Sequence, residues 1–230
     1  MTKTKLNIES WNRKEHFRFF STFDDPFFGI TTNVDFTTIY LEAKHDSQSF
    51  FLYSLHHILT KANETDEFKL RIEGGNSVVK YDTIHVSPTI SHLLLLDKYD
   101  VKYDTIHVSP TIGREDGTFG FAFFEYIPDR NDFIQQAIQE ITRVKNSTGL
   151  SFSKNTGRED VIRYSSIPWF SFSEMKHAVS FKNGDSVPRI STGKLIDTNG
   201  KMLLPISICA HHGLMDGKHI AQFLNKLSEP

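Results

Sequence analysis

The chain has one cysteine, Cys209, which excludes an internal disulfide framework and any zinc module built on several cysteines. It has no long apolar run. The longest leucine stretch, Leu93–Leu96, falls far short of the roughly 20 residues needed to cross a bilayer. Neither charge dominates: 26 basic residues face 28 acidic ones for a net −2, which argues against a basic face built to hold nucleic acid. Residues Met1 to Trp11 are polar and lack the apolar centre of a secretory signal. No Gly/Ser-rich or Pro-rich linker divides the chain. These absences predict a soluble, cytoplasmic protein of one domain, residues 1–230, with no membrane and no nucleic-acid partner. Apolar residues at 38% and charged residues at 23% supply a packed core.

Two features stand out in what is present. There are 20 Phe against 7 Tyr, and VKYDTIHVSPTI occurs twice, at Val79–Ile90 and again at Val101–Ile112. Two identical copies do not make a solenoid, which stacks three or more drifting repeats. Deleting Ser91–Ile112 removes 22 of 230 residues and leaves 208 with a seamless IHVSPTIGREDGTFG. Residues 91–112 therefore read as a duplicated insertion into a shorter domain, expected to fold as an extra strand pair that leaves the rest intact. The alternative is register ambiguity, because the duplicate offers the same strand twice.

Periodicity gives a mixed set of elements. Trp11–Phe20 reads as a short amphipathic helix and Gly29–Phe36 as a strand. Phe51, Leu55, Ile58 and Leu59 predict a helix over Phe50–Ala62. Strands are expected at Phe68–Ile72 and Val78–Ile84 around the turn Gly74-Gly75-Asn76. The alternation of Phe119, Phe121 and Phe123 predicts a strand over Thr118–Tyr126. Asn131–Lys145 is a helix announced by Pro128 and Asp129. Val161–Tyr164 and Arg189–Ile196 read as strands, Met202–Ala210 as a strand buried on both faces, and Gly217–Leu227 as a closing helix. Strands and helices mix without strict alternation, so the fold class is α/β (α+β) rather than a doubly wound sheet.

The stretch richest in chemistry is CAHHGLMDGKH, Cys209–His219, between the buried strand and the last helix. A histidine held at a strand end is rigid yet reachable, and imidazole accepts a proton near neutral pH. Asp216, four residues after His212, either orients that histidine or locks the loop by pairing elsewhere. His211, His212, Asp216 and His219 are metal-ligand types, but His211 and His212 point apart in an extended chain, so no metal is expected. Cys209 reads as a small buried hydrophobe.

HHGLMDG resembles the HHxxxDG signature of the chloramphenicol acetyltransferase family. Similar signatures occur in the acyltransferase domain of 2-oxoacid dehydrogenase complexes and in peptide-synthetase condensation domains. WNRKEHFRFF, NETDEFKLRI, RYSSIPWFSF and LLPISICAHHGLMDG resemble further segments of the same family, so the likeness spans the chain apart from the insertion. It implies a two-layer sandwich with a mixed β-sheet, acetyl-CoA as cosubstrate, a hydroxylated acceptor such as chloramphenicol, and antibiotic resistance as the consequence. It also implies a homotrimer with sites between subunits. His212 matches the general base, and Ser165 matches the serine that stabilises the oxyanion. Asp216 and Arg13 match a structural ion pair. Ser191 matches a threonine that positions a water, and Lys194 matches a lysine near the CoA phosphate.

Departures from the pattern concentrate around the acceptor. Phe20 stands where the family has a tyrosine, Arg163 where it has an asparagine two residues before the oxyanion serine, Leu195 at a CoA-contacting aromatic, and Ser49 at a second CoA-side lysine. Phe19, Phe20, Phe119 and Phe152 are the candidates for an aromatic acceptor pocket. An acyltransferase for another alcohol or amine, and a non-catalytic binder of an apolar ligand, are the alternatives.

Overall fold

A computed structural model of the chain describes residues 3–73, 77–81, 107–155, 157–178 and 185–229. The strands are β1 (Lys3–Lys5), β2 (Phe27–Asp35), β3 (Leu70–Glu73), β4 (Ser77–Tyr81), β5 (His107–Gly113), β6 (Phe119–Phe121), β7 (Val161–Ser166), β8 (Arg189–Thr192), β9 (Ile196–Thr198) and β10 (Lys201–His211). The helices are α1 (Lys14–Phe20), α2 (Thr37–His45), α3 (Phe50–Asn63), α4 (Arg130–Lys145) and α5 (Gly217–Leu227). A seven-stranded sheet runs β2-β10-β8-β7-β5-β6, with β9 on β10, and a three-stranded sheet runs β1-β4-β3. The large sheet is mixed: β5, β7 and β8 are parallel neighbours, and the other pairs are antiparallel. The fold is thus α/β in two layers, with α2 to α5 against one sheet face.

The reason lies in the period-2 pattern of the central strands. Ile206 and Ile208 of β10, Ile190 of β8 and Ile162 and Tyr164 of β7 turn toward the helices and are buried. Helix α3 meets them with Leu52, Leu55, Ile58, Leu59 and Ala62, and α5 adds Ile220, Phe223 and Leu227. Helix α3 is enclosed enough to bury two histidines, and the cost is met by hydrogen bonds from their rings to carbonyls: His56 to Ile127 O and His57 to Leu227 O, both 3.0 Å. Arg71, fully enclosed, donates to the carbonyls of Phe68, Leu70, Glu159 and Val161 at 2.5–2.8 Å, which ties β3 to the start of β7.

Several elements differ from the sequence reading. The strand expected over Thr118–Tyr126 spans Phe119–Phe121 only. Beyond it the N–H of Phe123 donates to the Glu140 carboxylate and that of Glu125 to Gln136 Oε1, so side chains of α4 replace a neighbouring strand. The strand expected over Arg189–Ile196 is split at Gly193-Lys194-Leu195 into β8 and β9. Helix α2 was not foreseen. Asp35 accepts from the Thr37 N–H at 3.0 Å and so starts it, and Ile39 and Ala43 supply its buried face. The turn Gly74–Asn76 and most of the duplicated region lie outside the described residues. Of the first copy, Val79–Tyr81 ends β4; of the second, His107–Ile112 makes β5.

Candidate active site

Strand β10 delivers the histidine pair to the sheet edge, where the His212 N–H donates to Pro26 O at 2.8 Å. His211 turns inward. It accepts from the Gly213 N–H through Nδ1 at 3.1 Å, which requires an uncharged ring, and burial holds its pKa down at about 4. His212 turns outward against Phe20, with ring centroids 4.0 Å apart and planes 5° from parallel, and against Phe28 at 4.5 Å. Its Nδ1 is enclosed without a hydrogen-bond partner among the described residues, which leaves Nε2 as the nitrogen available to a substrate. Phe20, expected in the acceptor pocket, therefore also serves as the plate that sets the imidazole plane.

Asp216 does not orient His212. It accepts from Arg13 Nη1 at 2.6 Å and from the Lys218 N–H at 3.0 Å, capping α5, while its own N–H donates to His219 Nδ1. Partial burial pushes its carboxyl up, but the Arg13 bond, His219 and the Lys218 N–H outweigh this and hold it at about 2. Arg13 uses Nη2 on the His212 carbonyl at 3.0 Å. One guanidinium thus grips the backbone of His212 and the cap of the following helix.

Ser165 on β7 stands opposite Ser191 on β8, which stands opposite Ser207 on β10. Residues directly opposite share a face. Thr31 Oγ1 donates to Ser207 Oγ at 3.0 Å, and Thr111 Oγ1 lies 3.4 Å from Ser165 Oγ. Five hydroxyls therefore cross the sheet on the face away from the helices. Arg163 and Arg189, another cross-strand pair, are on the same face one pleat along and share the carboxylate of Asp185. Lys194 is exposed just beyond β8, its N–H donating to Phe170 O at 3.0 Å. Phe119 is close to Phe121, and Phe121 is stacked near Phe152 at 6.3 Å.

The expected residues fall into two groups. His212, Arg13, Asp216, Phe19 and Phe20 gather at one end of β10. Ser165, Ser191, Lys194, Phe119 and Phe152 gather across the sheet around β5 to β8. His212 is five positions past Ser207 and two strands from Ser165. At about 3.3 Å per residue and about 4.8 Å per strand, His212 and Ser165 of one chain are roughly 15–20 Å apart. Sequence reading missed Phe28, His177 and Asp185. Phe28 was legible as the residue flanking the edge strand; the other two sit in irregular chain and carried no spacing signal. Cys209 is half-buried, its thiol pushed up by burial against the opposing pull of Arg189. Among the described residues no group of three or more His, Cys, Asp or Glu could hold a metal ion, and no helix is long and apolar enough to cross a membrane.

A family model described as chloramphenicol acetyltransferase matches residues 1–94 and 92–228, and the break falls between the two copies of the repeat. The chain is 25% identical over 229 residues to chloramphenicol acetyltransferase 3 of Escherichia coli, covering 100% of this chain and 97% of that protein. It is 24% identical over 227 residues to chloramphenicol acetyltransferase 2 of Haemophilus influenzae, covering 99% and 96%. A solved chloramphenicol acetyltransferase structure superposes with a TM-score of 0.83 at 30% identity, covering 99% of each chain. The cubic core of the pyruvate dehydrogenase multienzyme complex shares the fold at a TM-score of 0.62 and 14% identity, over 89% of this chain and 80% of that one. With a family match that runs from the first β-strand through the HHGLMDG loop to the last helix, the chain belongs to the chloramphenicol acetyltransferase family.

Proposed function

We propose that this chain is an acetyl-CoA-dependent O-acetyltransferase that acetylates a hydroxyl of chloramphenicol, with His212 as general base. The observation that carries the reading is the mounting of His212. Its backbone is gripped by Arg13, its ring is plated by Phe20 and Phe28, and only Nε2 is left to work. Nε2 takes the proton of the acceptor hydroxyl as its oxygen attacks the thioester carbonyl of acetyl-CoA. The tetrahedral oxyanion is held by a hydroxyl donor, the role of Ser165, and loss of one such donor typically costs roughly 10²–10³ in rate. Collapse expels the CoA thiolate, and the imidazolium returns the proton to it. Ser191 positions a water beside the intermediate and Lys194 meets the CoA phosphate. Phe119 and Phe152 line the acceptor side.

The separation of His212 from Ser165 within one chain supports a homotrimer in which His212 of one copy faces Ser165, Ser191 and Lys194 of the next. Exposed Trp169 and Phe170, on the segment after β7, fit a surface that a second copy covers. The reading also places the protein in the cytoplasm, where acetyl-CoA is made, as an antibiotic-resistance enzyme.

Release of CoA thiol in the presence of acetyl-CoA and chloramphenicol tests the activity; no release above background overturns it. His212→Ala and Ser165→Ala should each remove nearly all turnover. Co-expressed one to one, the two variants should regain about a quarter of wild-type activity, because in randomly assembled trimers about a quarter of all interfaces join an intact His212 to an intact Ser165. No recovery would overturn the shared site. A second reading, a different hydroxylated acceptor, is favoured by Arg163 and Asp185 beside Ser165. A panel of hydroxylated acceptors run against chloramphenicol decides it by the ratio of kcat/KM.

A further inference from the structure

We propose that His177 is a positioning residue of the acyl-transfer site, acting through Ser191. The proposal rests on the reading that Ser165 and Ser191 face the reacting acyl group.

Ser191 occupies the centre of the hydroxyl row, 0% exposed, with Ser207 on one side and Ser165 on the other. A serine hydroxyl is a rotor. Unless something holds its hydrogen, it offers the site a donor at one moment and an acceptor at the next. Ser207 is held from Thr31 and Ser165 is within reach of Thr111. The hold on Ser191 comes from neither neighbour. It comes from His177, whose Nε2 is 3.2 Å from Ser191 Oγ.

His177 belongs to the irregular segment after β7, which folds back over the sheet face opposite the helices. The Ile167 N–H donates to Thr192 O at 2.8 Å, and the Lys194 N–H to Phe170 O at 3.0 Å, so the start of the segment is pinned to the chain just past the serine. This brings a ring with one donor and one acceptor nitrogen onto a hydroxyl that no other described group orients. With the ring proton on Nδ1, Nε2 accepts from the Ser191 hydroxyl and fixes its hydrogen; with the proton on Nε2, the ring donates and turns that hydrogen away from itself.

The same surroundings keep that ring in one charge state. Burial and the guanidinium of Arg189, two residues before Ser191, press the His177 pKa down to about 4. Arg189 is itself 2% exposed and anchored on Asp185. The imidazole therefore stays neutral around neutral pH, and its bond to Ser191 is not disturbed by a change of charge. His177 touches Ser191 and transfers no proton in the reaction. Misplacement of a group by a fraction of an ångström from such a second layer is enough to move a rate by an order of magnitude or more.

The test is a double-mutant cycle in the full chain, read as CoA-thiol release with chloramphenicol. Ser191→Ala and His177→Leu should each lower kcat about tenfold with KM for acetyl-CoA unchanged, and the double variant should be within about twofold of Ser191→Ala alone. His177→Gln, whose amide can still bond the hydroxyl, should recover most of the loss, and His177→Ala takes the place of His177→Leu in the cycle should that variant not fold. Wild-type kcat in His177→Leu, or losses that multiply in the double variant, overturn the proposal. Wild-type kcat in Ser191→Ala overturns the placement of Ser191 beneath it instead.

Discussion

Arg13 joins three things with one side chain: the first helix, the carbonyl of His212 and the cap of the last helix. Its guanidinium is nearly enclosed, so removing Asp216 leaves a positive charge short of its counter-ion. Asp216→Ala should therefore cost about 2–4 kcal/mol by chemical denaturation at fixed protein concentration, part of it from the lost cap. Arg13→Ala should cost a similar amount and also lower kcat, because the His212 carbonyl is released. The Asp216 carboxyl titrates at about 2 when folded, below its unfolded value, so this stabilisation is complete above pH 4 and is lost only as pH falls through 2. His211 works in the other direction. Its folded pKa, about 4, lies below the ordinary histidine value, so the unfolded state binds a proton first as pH falls. Stability should decline between pH 6.5 and 4 by up to about 3 kcal/mol from this residue. His211→Gln should flatten that limb of a stability-against-pH curve; an unchanged slope would refute the assignment. The HHGLMDG spacing picked out both residues. It could not say which histidine turns inward, because that depends on which face of β10 meets Arg13 and Phe20.

Elements with a complete internal pattern were readable. Helix α4 begins one residue from the predicted start because Asp129 caps it, its side chain accepting from the Asp132 N–H at 3.0 Å. Helix α5 matches its apolar register from end to end. The strand after the second repeat copy was overread, because its alternating Phe residues look like a ladder while the N–H groups of Phe123 and Glu125 go to α4 side chains. A period-2 pattern reports which way side chains point and not what the backbone bonds. At Gly120 of β6 the packing is tight: a Cβ would be 2.6 Å from Arg114 Nη2 and 2.7 Å from Val144 Cγ1. Gly120→Ala should cost about 1–3 kcal/mol in a denaturation experiment, since both β6 and α4 must shift. Wild-type stability would show that this edge gives way freely. Helix α2 escaped notice because its start signal, Asp35, ends a strand, and only the fold reveals that one side chain serves both elements.

At the scale of the molecule the duplicated segment poses a choice that the structure resolves. Either copy could supply HVSPTI. The second does, because Gly113 pairs with Phe119 and the Arg114 N–H donates to Thr118 O at 2.9 Å, continuing β5 into a tight hairpin. Using the first copy would place 22 residues inside that hairpin. The extra length goes instead between β4 and β5, which lie in different sheets. Deleting Ser91–Ile112 yields the same sequence as deleting Asp82–Tyr103, so every described strand residue is kept. The connection shrinks from 25 residues to three, and the deletion variant should gain about 1–2 kcal/mol of stability while retaining acetyl transfer. Loss of folding on deletion would show that the segment supports the domain.

The sequence by itself determined the mixed α/β class, the type of most elements, the histidine loop with Asp216 and the boundaries of the repeat, while Arg13 entered through the family resemblance alone. The first four are carried by local periodicity or by a motif whose residues lie close together in the chain. Only the tertiary structure decided that Phe20 plates His212, that His177 lies against Ser191 and Asp185 between Arg163 and Arg189, that the second copy makes β5, and that His212 and Ser165 of one chain stand apart. These depend on strand order and register, which bring together residues far apart in the chain through contacts that no local pattern encodes.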